Sequence, residues 1–141
     1  PLGHWQRAAR RAGTVAPWYV VLSVPRPVLH QRILRRAEEM LERGLVEEVA
    51  ILLAEGYGPD TPGLDSLGIR EVVDYLQGRR KREDLADAIA TSTRQYAKRQ
   101  ITWFRHQIDG PVLALDATRP PETLAKEILR MWEETDGRKR T

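Results

Sequence analysis

The sequence predicts a mostly helical α/β fold with two short strands and about five helices. Two apolar runs, 18–24 and 112–115, are short enough and rich enough in β-forming residues to be strands. The segments between and after them carry apolar residues at the three- and four-residue spacing of amphipathic helices. Because two lone buried strands do not make a stable parallel sheet, we expect both to belong to a larger α/β sheet whose other strands lie upstream.

Prolines and glycines mark the first elements. The run 18–24 stops at Pro25, and its continuous apolar character indicates a strand buried on both faces. Pro27 suits the first turn of the helix that follows, and Gly44 can end that helix as a C-cap. A second helix is predicted over 46–55, where it meets another glycine.

The later elements alternate between loops and helices. Residues 57–65 have the composition of a turn-rich loop, and a short helix is predicted over 69–76. The run RRKR at 79–82 predicts a solvated basic loop, and the longest helical pattern covers 84–107. After the second strand, Thr118 can cap a last amphipathic helix.

Three regions are predicted along the chain. Residues 1–17 are basic, lack a clear period and form a lead-in at the end of an insertion region. Residues 18–134 form the folded part, and 135–141 form a polar tail. The chain starts with Pro1 rather than Met, so we expect a cleaved, truncated or partial sequence.

Composition excludes several classes of protein. A hydrophobic fraction of 41% and a charged fraction of 30% fit a soluble globular domain. The absence of cysteine excludes disulfide scaffolds, zinc ribbons and thiol catalysis. The longest apolar run is too short to span a membrane and no signal peptide opens the chain, so a cytoplasmic location is expected. The net charge is only +3, so the position of the basic residues matters more than their total.

No metal site or complete active site is predicted. The three histidines, His4, His30 and His106, lie far apart and lack the spacing of metal ligands. The sequence contains no Ser/His pair and no phosphate loop of the GxxxxGK[ST] type.

The segment 88–108 is the strongest candidate for binding nucleic acid, since it contains four basic residues, one histidine and no acid. One helical stripe carries groups suited to phosphates and base edges: Thr91, Arg94, Gln95, Lys98, Thr102 and Arg105. A second stripe is predicted to be buried: Ile89, Tyr96, Ala97, Ile101 and Phe104. The alternative is an ordinary solvated face, although such faces usually mix both signs of charge.

Two weaker candidates lie upstream. Arg32 and Arg36 share a helix face, and planar guanidinium groups are natural clamps for a diphosphate. The alternative is ion pairing with nearby acids, namely Glu38, Glu39 or Glu42. Gly68, at a helix start, would let a ligand approach free backbone amides, whereas Ser66 is more simply an ordinary N-cap.

In this order, the segments resemble the bacterial tRNA dimethylallyltransferases, also called tRNA isopentenyltransferases. The resemblance covers roughly residues 1–107 and includes PLGHWQ, LHQRILRRAEEML, GLVEEV, LLAEG, SLGIREVVDYLQG and TRQYAKRQITWFR. The last of these is the most specific, and the others support it by order and spacing.

The resemblance implies the C-terminal part of a P-loop NTPase or kinase-like fold, without its nucleotide-binding P-loop half. Enzymes of this family transfer a dimethylallyl group from dimethylallyl diphosphate to N6 of the tRNA adenine just 3′ of the anticodon, with Mg²⁺ and loss of diphosphate. The adenine is flipped out of its stack to be reached. Since the phosphate loop, the general-base Asp and most Mg²⁺ contacts are expected upstream, this chain is assigned no catalytic residue, and alone it is predicted to be inactive.

The resemblance also assigns binding residues. On the diphosphate side, the family's arginine corresponds to Arg36 and more weakly to Arg32. The family's tRNA contacts, to the anticodon stem-loop, correspond to a helix at 93–100 and a turn at 65–70. The implied tRNA-binding residues are Ser66, Gly68, Arg70, Thr93, Arg94, Gln95, Lys98, Arg99 and Gln100. Asp65 and Ile69 depart from the family's usual turn, and an acid facing phosphate would repel it, so neither is assigned.

Two hypotheses of other classes remain open: a non-catalytic RNA-binding module, and an interaction domain without nucleic acid. A GxxxxGK[ST] loop after a strand upstream of this sequence would favour the enzyme. The resemblance implies a monomer that binds tRNA and dimethylallyl diphosphate and does not bind a membrane.

Overall fold

The computed structural model describes residues 18–58, 61–108 and 112–139, with side chains up to residue 135. The chain divides into a helical unit, Val24–Gln107, and a second unit formed by the residues before and after it. The predicted lead-in, 1–17, lies outside the described residues, as do the last two positions of the predicted tail.

The helical unit contains four α-helices. They are α1 (Arg26–Glu42), α2 (Leu45–Ala54), α3 (Ile69–Leu76) and α4 (Leu85–Gln107), with a 3₁₀ turn at Arg82–Asp84 before α4. Pro27 lies in the first turn of α1, as predicted. Gly44 ends α1 and also serves as the N-cap of α2, at a φ of 97° that favours glycine.

The second unit contains two strands and one helix. Strands β1 (Tyr19–Ser23) and β2 (Val112–Asp116) pair in parallel, with Tyr19 opposite Val112. Helix α5 (Pro121–Lys139) follows β2. The described residues thus form five helices and two parallel strands, which confirms the predicted mostly helical α/β class.

The core of the helical unit joins all four of its helices. Helix α1 packs mainly against α4, and α3 packs against α2 and α4. The buried side chains come from one face of each helix: Ala37, Leu41, Val49, Val72, Val73, Leu85 and Ile89. Apolar residues recur at helical spacing in each of these helices, which gives each one a face to bury. The first two turns of α4 are packed into this core.

The strands are less buried than their apolar sequence indicates. Leu22 of β1 is 56% exposed and Val112 of β2 is 46% exposed. The reason is that, within the described residues, the sheet has only two strands and β1 has a neighbour on one side only. Burial of β1 on both faces was predicted for a larger sheet and stays a prediction.

Two segment predictions differ from the structure at their edges. Helix α5 continues through the predicted tail to Lys139, since no proline interrupts it. The RRKR segment is only partly solvated. The Arg79 guanidinium lies 2.6 Å from Asp74 Oδ1, and Nε of Arg80 is buried without a hydrogen-bond partner in the described part of the chain.

None of the described helices is both long and apolar enough to cross a membrane.

Candidate nucleic-acid interface

Helix α4 is packed at its start and exposed over its second half. Leu85, Ile89 and Ala90 are buried, whereas almost every residue from 95 to 107 is exposed. The predicted buried stripe is therefore wrong at Tyr96, Ile101 and Phe104, which are 44%, 46% and 48% exposed. Helical period shows which residues share a face, but burial also requires a neighbouring element opposite that face.

A small basic cleft lies between the start of α1 and the middle of α4. Four side chains at its edge carry basic groups: Arg26, His30, Arg94 and Lys98. Four others supply apolar lining: Leu29, Ile33, Ala97 and Ile101. None of the described acidic side chains lines this cleft, so Arg26, Arg94 and Lys98 bring positive charge to it without a carboxylate in its lining.

Sequence reasoning found the α4 side of this cleft and missed the α1 side. Arg26 and His30 are four residues apart and therefore share a helix face with Ile33. That spacing was visible in the sequence, but only the packing of α1 on α4 brings these residues to Arg94 and Lys98.

Internal hydrogen bonds orient two residues next to the cleft. Thr93 Oγ1 donates to the Ile89 carbonyl at 2.7 Å, so this hydroxyl proton is used within the helix. The Arg94 guanidinium donates to Thr91 Oγ1 at 2.8 Å. Because a guanidinium has five N–H donors, this single bond leaves most of them for an anion.

A second surface of α4 is aromatic. Its lining residues are Tyr96, Arg99, Gln100, Trp103 and Phe104. The Arg99 guanidinium lies 5.7 Å from the centre of the Tyr96 ring, and the Trp103 and Phe104 rings meet edge to face at 5.0 Å. Exposed rings beside guanidinium and amide groups are suited to stack and hydrogen-bond unpaired bases. Gln95 is also exposed on this helix.

The turn before α3 differs from prediction at the N-cap. Ser66 is exposed and is not the N-cap, because α3 begins after Gly68 and has no side-chain cap bond. Gly68 is buried, and its N–H donates to Glu71 Oε2 at 2.8 Å. The N–H of Gly68 itself is therefore not available to a ligand, since it already has a partner.

Glu71 is the residue that sequence reasoning missed in this region. Its side chain is only 4% exposed. Oε2 accepts the Gly68 N–H, and Oε1 accepts a hydrogen bond from Ser92 Oγ at 2.5 Å. The Arg70 guanidinium, largely exposed, lies 3.8 Å from the same Oε1. Only the pairing of α3 with α4 reveals this contact, because Ser92 is 21 positions away in sequence.

The two predicted diphosphate arginines lie on the exposed side of α1. Glu39 pairs with Arg35 at 3.4 Å, and the described residues give Arg36 no ion pair. The alternative of an Arg36–Glu39 pair is therefore wrong. The residues that line the basic cleft include neither Arg32 nor Arg36 among the described part of the chain.

Comparison with protein families gives a match over the segment that holds these elements. A family model described as IPP transferase matches residues 1–107, which include α1 to α4 and β1. This match contains both the basic cleft and the turn before α3.

Relatives and solved structures extend the likeness. The chain is 47% identical over 90 residues to a tRNA dimethylallyltransferase of Exiguobacterium sp., covering 64% of this chain and 29% of that protein. It is 36% identical over 132 residues to one from Geobacillus thermodenitrificans, covering 92% of this chain and 41% of that protein. The crystal structure of a Bacillus halodurans tRNA isopentenylpyrophosphate transferase matches with a TM-score of 0.75 and 31% identity, over 91% of this chain and 44% of that one.

The chain therefore spans less than half the length of these relatives. The family model nevertheless covers well over half of this sequence, and the solved structure shares its arrangement of helices and strands. On this basis, the chain belongs to the IPP transferase family.

Proposed function

We propose that this chain forms part of an enzyme that transfers a dimethylallyl group from dimethylallyl diphosphate to N6 of the tRNA adenine just 3′ of the anticodon. The observation that carries this proposal is the acid-free basic cleft between α1 and α4, within the segment that matches the IPP transferase model. The relatives named tRNA dimethylallyltransferase support the same assignment. In this proposal, residues 18–134 form the C-terminal part of the catalytic α/β core.

The tRNA side of the proposal rests on helix α4 and the turn before α3. Arg94 and Lys98 at the cleft would hold backbone phosphates, because cations in a site free of acids bind phosphate strongly. The exposed Gln95, Arg99 and Gln100 would contact bases or sugars. The remaining tRNA contacts are proposed at Ser66, Gly68, Arg70 and Thr93. Gly68 is buried and its N–H is bound to Glu71, so its proposed part is to shape the turn that carries Ser66 and Arg70.

The diphosphate side rests on Arg36, with Arg32 as a weaker second contact. In the reaction, adenine N6 forms a bond to the first carbon of the dimethylallyl group, the carbon–oxygen bond to diphosphate breaks, and the general base expected upstream of this chain takes the proton from N6. Negative charge grows on the departing diphosphate in the transition state. A fixed guanidinium beside it would therefore stabilise the transition state more than the ground state.

The described residues do not by themselves fit a Mg²⁺ site. No group of three His, Asp or Glu side chains comes together among them, and Mg²⁺ prefers several oxygen ligands in octahedral geometry. The roles that this chain takes in the proposal are therefore RNA binding and charge stabilisation.

The test is prenylation by the full-length protein. With dimethylallyl diphosphate, Mg²⁺ and unmodified tRNA, mass analysis of the digested tRNA should show dimethylallyl adenine next to the anticodon. The 141-residue chain alone should give no product under the same conditions. A full-length protein that binds tRNA without forming product would support the non-catalytic RNA-binding module instead. A full-length protein that does not bind tRNA would support the interaction domain.

Arg36→Ala in the full-length enzyme should lower kcat/KM for the prenyl donor by about ten-fold or more, equivalent to about 1.4 kcal/mol of transition-state stabilisation. Thermal stability should change little, because Arg36 is exposed and has no ion pair within the described residues. Steady-state kinetics with varied donor would measure the effect.

The matched control for this variant is Arg35→Ala. Arg35 is the neighbouring exposed arginine, and its one ion pair among the described residues is the surface pair with Glu39, a kind of pair that contributes little. Its loss should leave the donor kinetics unchanged. Equal kinetics for both variants, or an Arg36 variant that merely melts earlier, would contradict the diphosphate role.

A further inference from the structure

Glu71 is a buried carboxylate whose two oxygens bind two different elements. Oε2 accepts the backbone N–H of Gly68, the N-cap of α3, at 2.8 Å. Oε1 accepts the Ser92 hydroxyl in the packed part of α4 at 2.5 Å. The carboxylate therefore connects the turn before α3 to α4 through a single side chain.

Helix capping explains only half of this arrangement. A glutamate at the third helical position commonly returns to the N-cap N–H, and the Gly68 contact is of that kind. The Ser92 contact instead crosses to another helix. Burying a carboxylate costs free energy unless hydrogen bonds satisfy it. The adjacent Val72 and Val73 already supply apolar packing between these helices, so packing alone does not require a carboxylate here.

The backbone makes the turn sensitive to this connection. Gly68 has a φ of 90° and a ψ of −45°, a conformation that strongly favours glycine. A Cβ at this position would lie 3.6 Å from the Met40 side chain and 3.7 Å from Ile89. The turn is therefore seated closely on α1 and α4, and the Glu71 carboxylate supplies the directional contacts that fix its orientation.

Ser92 directly precedes Thr93 and Arg94, and Gly68 lies between Ser66 and Arg70. We propose that Glu71 is a positioning residue, which holds the turn before α3 in register with α4 so that both engage one tRNA at the same time. This inference rests on the proposed function, since it assumes that these two segments contact tRNA. Arg70 would be oriented as well, because its guanidinium lies 3.8 Å from Glu71 Oε1.

Substitutions at Ser92 and Glu71 in the full-length enzyme test this proposal. Ser92→Ala removes one of the two directional contacts and should raise the Kd and KM for tRNA by about ten-fold, because tRNA binding must then reorder the turn at a cost comparable to the about 1.5 kcal/mol that a hydrogen bond to a charged group contributes. The KM for dimethylallyl diphosphate should not change. Glu71→Ala should have a larger effect in the same direction, if it folds.

Glu71→Gln is the conservative rescue. Its amide oxygen can still accept the Gly68 N–H, and its NH₂ group can donate to the Ser92 hydroxyl oxygen. We therefore expect tRNA binding close to that of the unmodified enzyme. A Gln variant as weak as the Ala variant would overturn a positioning role, because the charge itself would then matter.

The matched control for lost stability is Val49→Ala. Val49 is 1% exposed on α2, a helix to which no tRNA contact is assigned, so this variant should melt earlier with tRNA binding unchanged. If Ser92→Ala also melts earlier but keeps the tRNA Kd, Glu71 is structural and the proposal is overturned.

Lys98→Ala separates this proposal from the proposed function. If Lys98→Ala weakens tRNA binding and Ser92→Ala does not, only the positioning role fails. If neither variant, nor the unmodified protein, shows specific tRNA binding at this surface, the proposed function fails and the positioning role fails with it.

Discussion

Replacing both Arg94 and Lys98 by alanine in the full-length protein is expected to weaken tRNA binding by about 100-fold or more. Each removes a cationic group from the basic cleft, and one hydrogen bond to a charged group contributes about 1.5–3 kcal/mol. Two such losses correspond to at least about two decades in Kd. Titration of labelled tRNA at several salt concentrations would measure both the affinity and its dependence on salt.

The salt dependence distinguishes phosphate binding from a general change in the protein. Removing one cation that neutralises a phosphate should reduce the slope of log K against log salt by about one. The double variant should therefore lower the slope by about two, with a smaller effect for either single variant.

Lys126→Ala with Arg130→Ala is the matched control. These two substitutions remove the same side-chain types at the same four-residue spacing, from exposed positions on α5. If affinity depends only on net charge, both double variants will weaken binding equally. That outcome would show that the basic stripe of α4 is an ordinary solvated face.

Ile89→Ala is expected to lower the free energy of unfolding of the helical unit by about 2–5 kcal/mol. Ile89 is 3% exposed in the core between α1, α3 and α4, so truncating it leaves a cavity that the neighbouring helices fill only in part. Urea denaturation followed by circular dichroism would give the change in midpoint.

The same helix provides the control for this variant. Ile101 is also an isoleucine of α4, but it is 46% exposed. Ile101→Ala should therefore cost well under half as much, since less apolar surface leaves a buried environment. Equal losses for both variants would mean that the exposed half of α4 is packed in solution, contrary to the structure.

Local signals in the sequence predicted the elements well. Helix α3 begins and ends at the predicted residues, Ile69 and Leu76, because Gly68 and Gly78 stand at its two ends. The long helical pattern of α4 likewise indicated which of its residues share a basic face. Such signals act over a few residues, so one sequence is enough to read them.

Contacts between distant segments could not be predicted in this way. The role of His30 in the basic cleft depends on how α1 packs on α4, and the Glu71–Ser92 hydrogen bond depends on α3 meeting α4. The exposure of Tyr96 and Phe104 has the same origin, since no described helix covers them. Each of these features is set by tertiary packing rather than by spacing along one helix.

The parallel pairing of β1 with β2 has a consequence for the order of folding. Ser23 Oγ donates to the Leu115 carbonyl across 92 positions of sequence, whereas the contacts of the helical unit, including those of α1 with α4, span shorter stretches of chain. Closing so long a loop costs chain entropy before any strand contact compensates it. The strand pair should therefore form late, after the intervening helices have shortened the effective loop. Until β2 has been synthesised, the edge of β1 that pairs with it would stay open, and an open strand edge is a site where chains can pair wrongly.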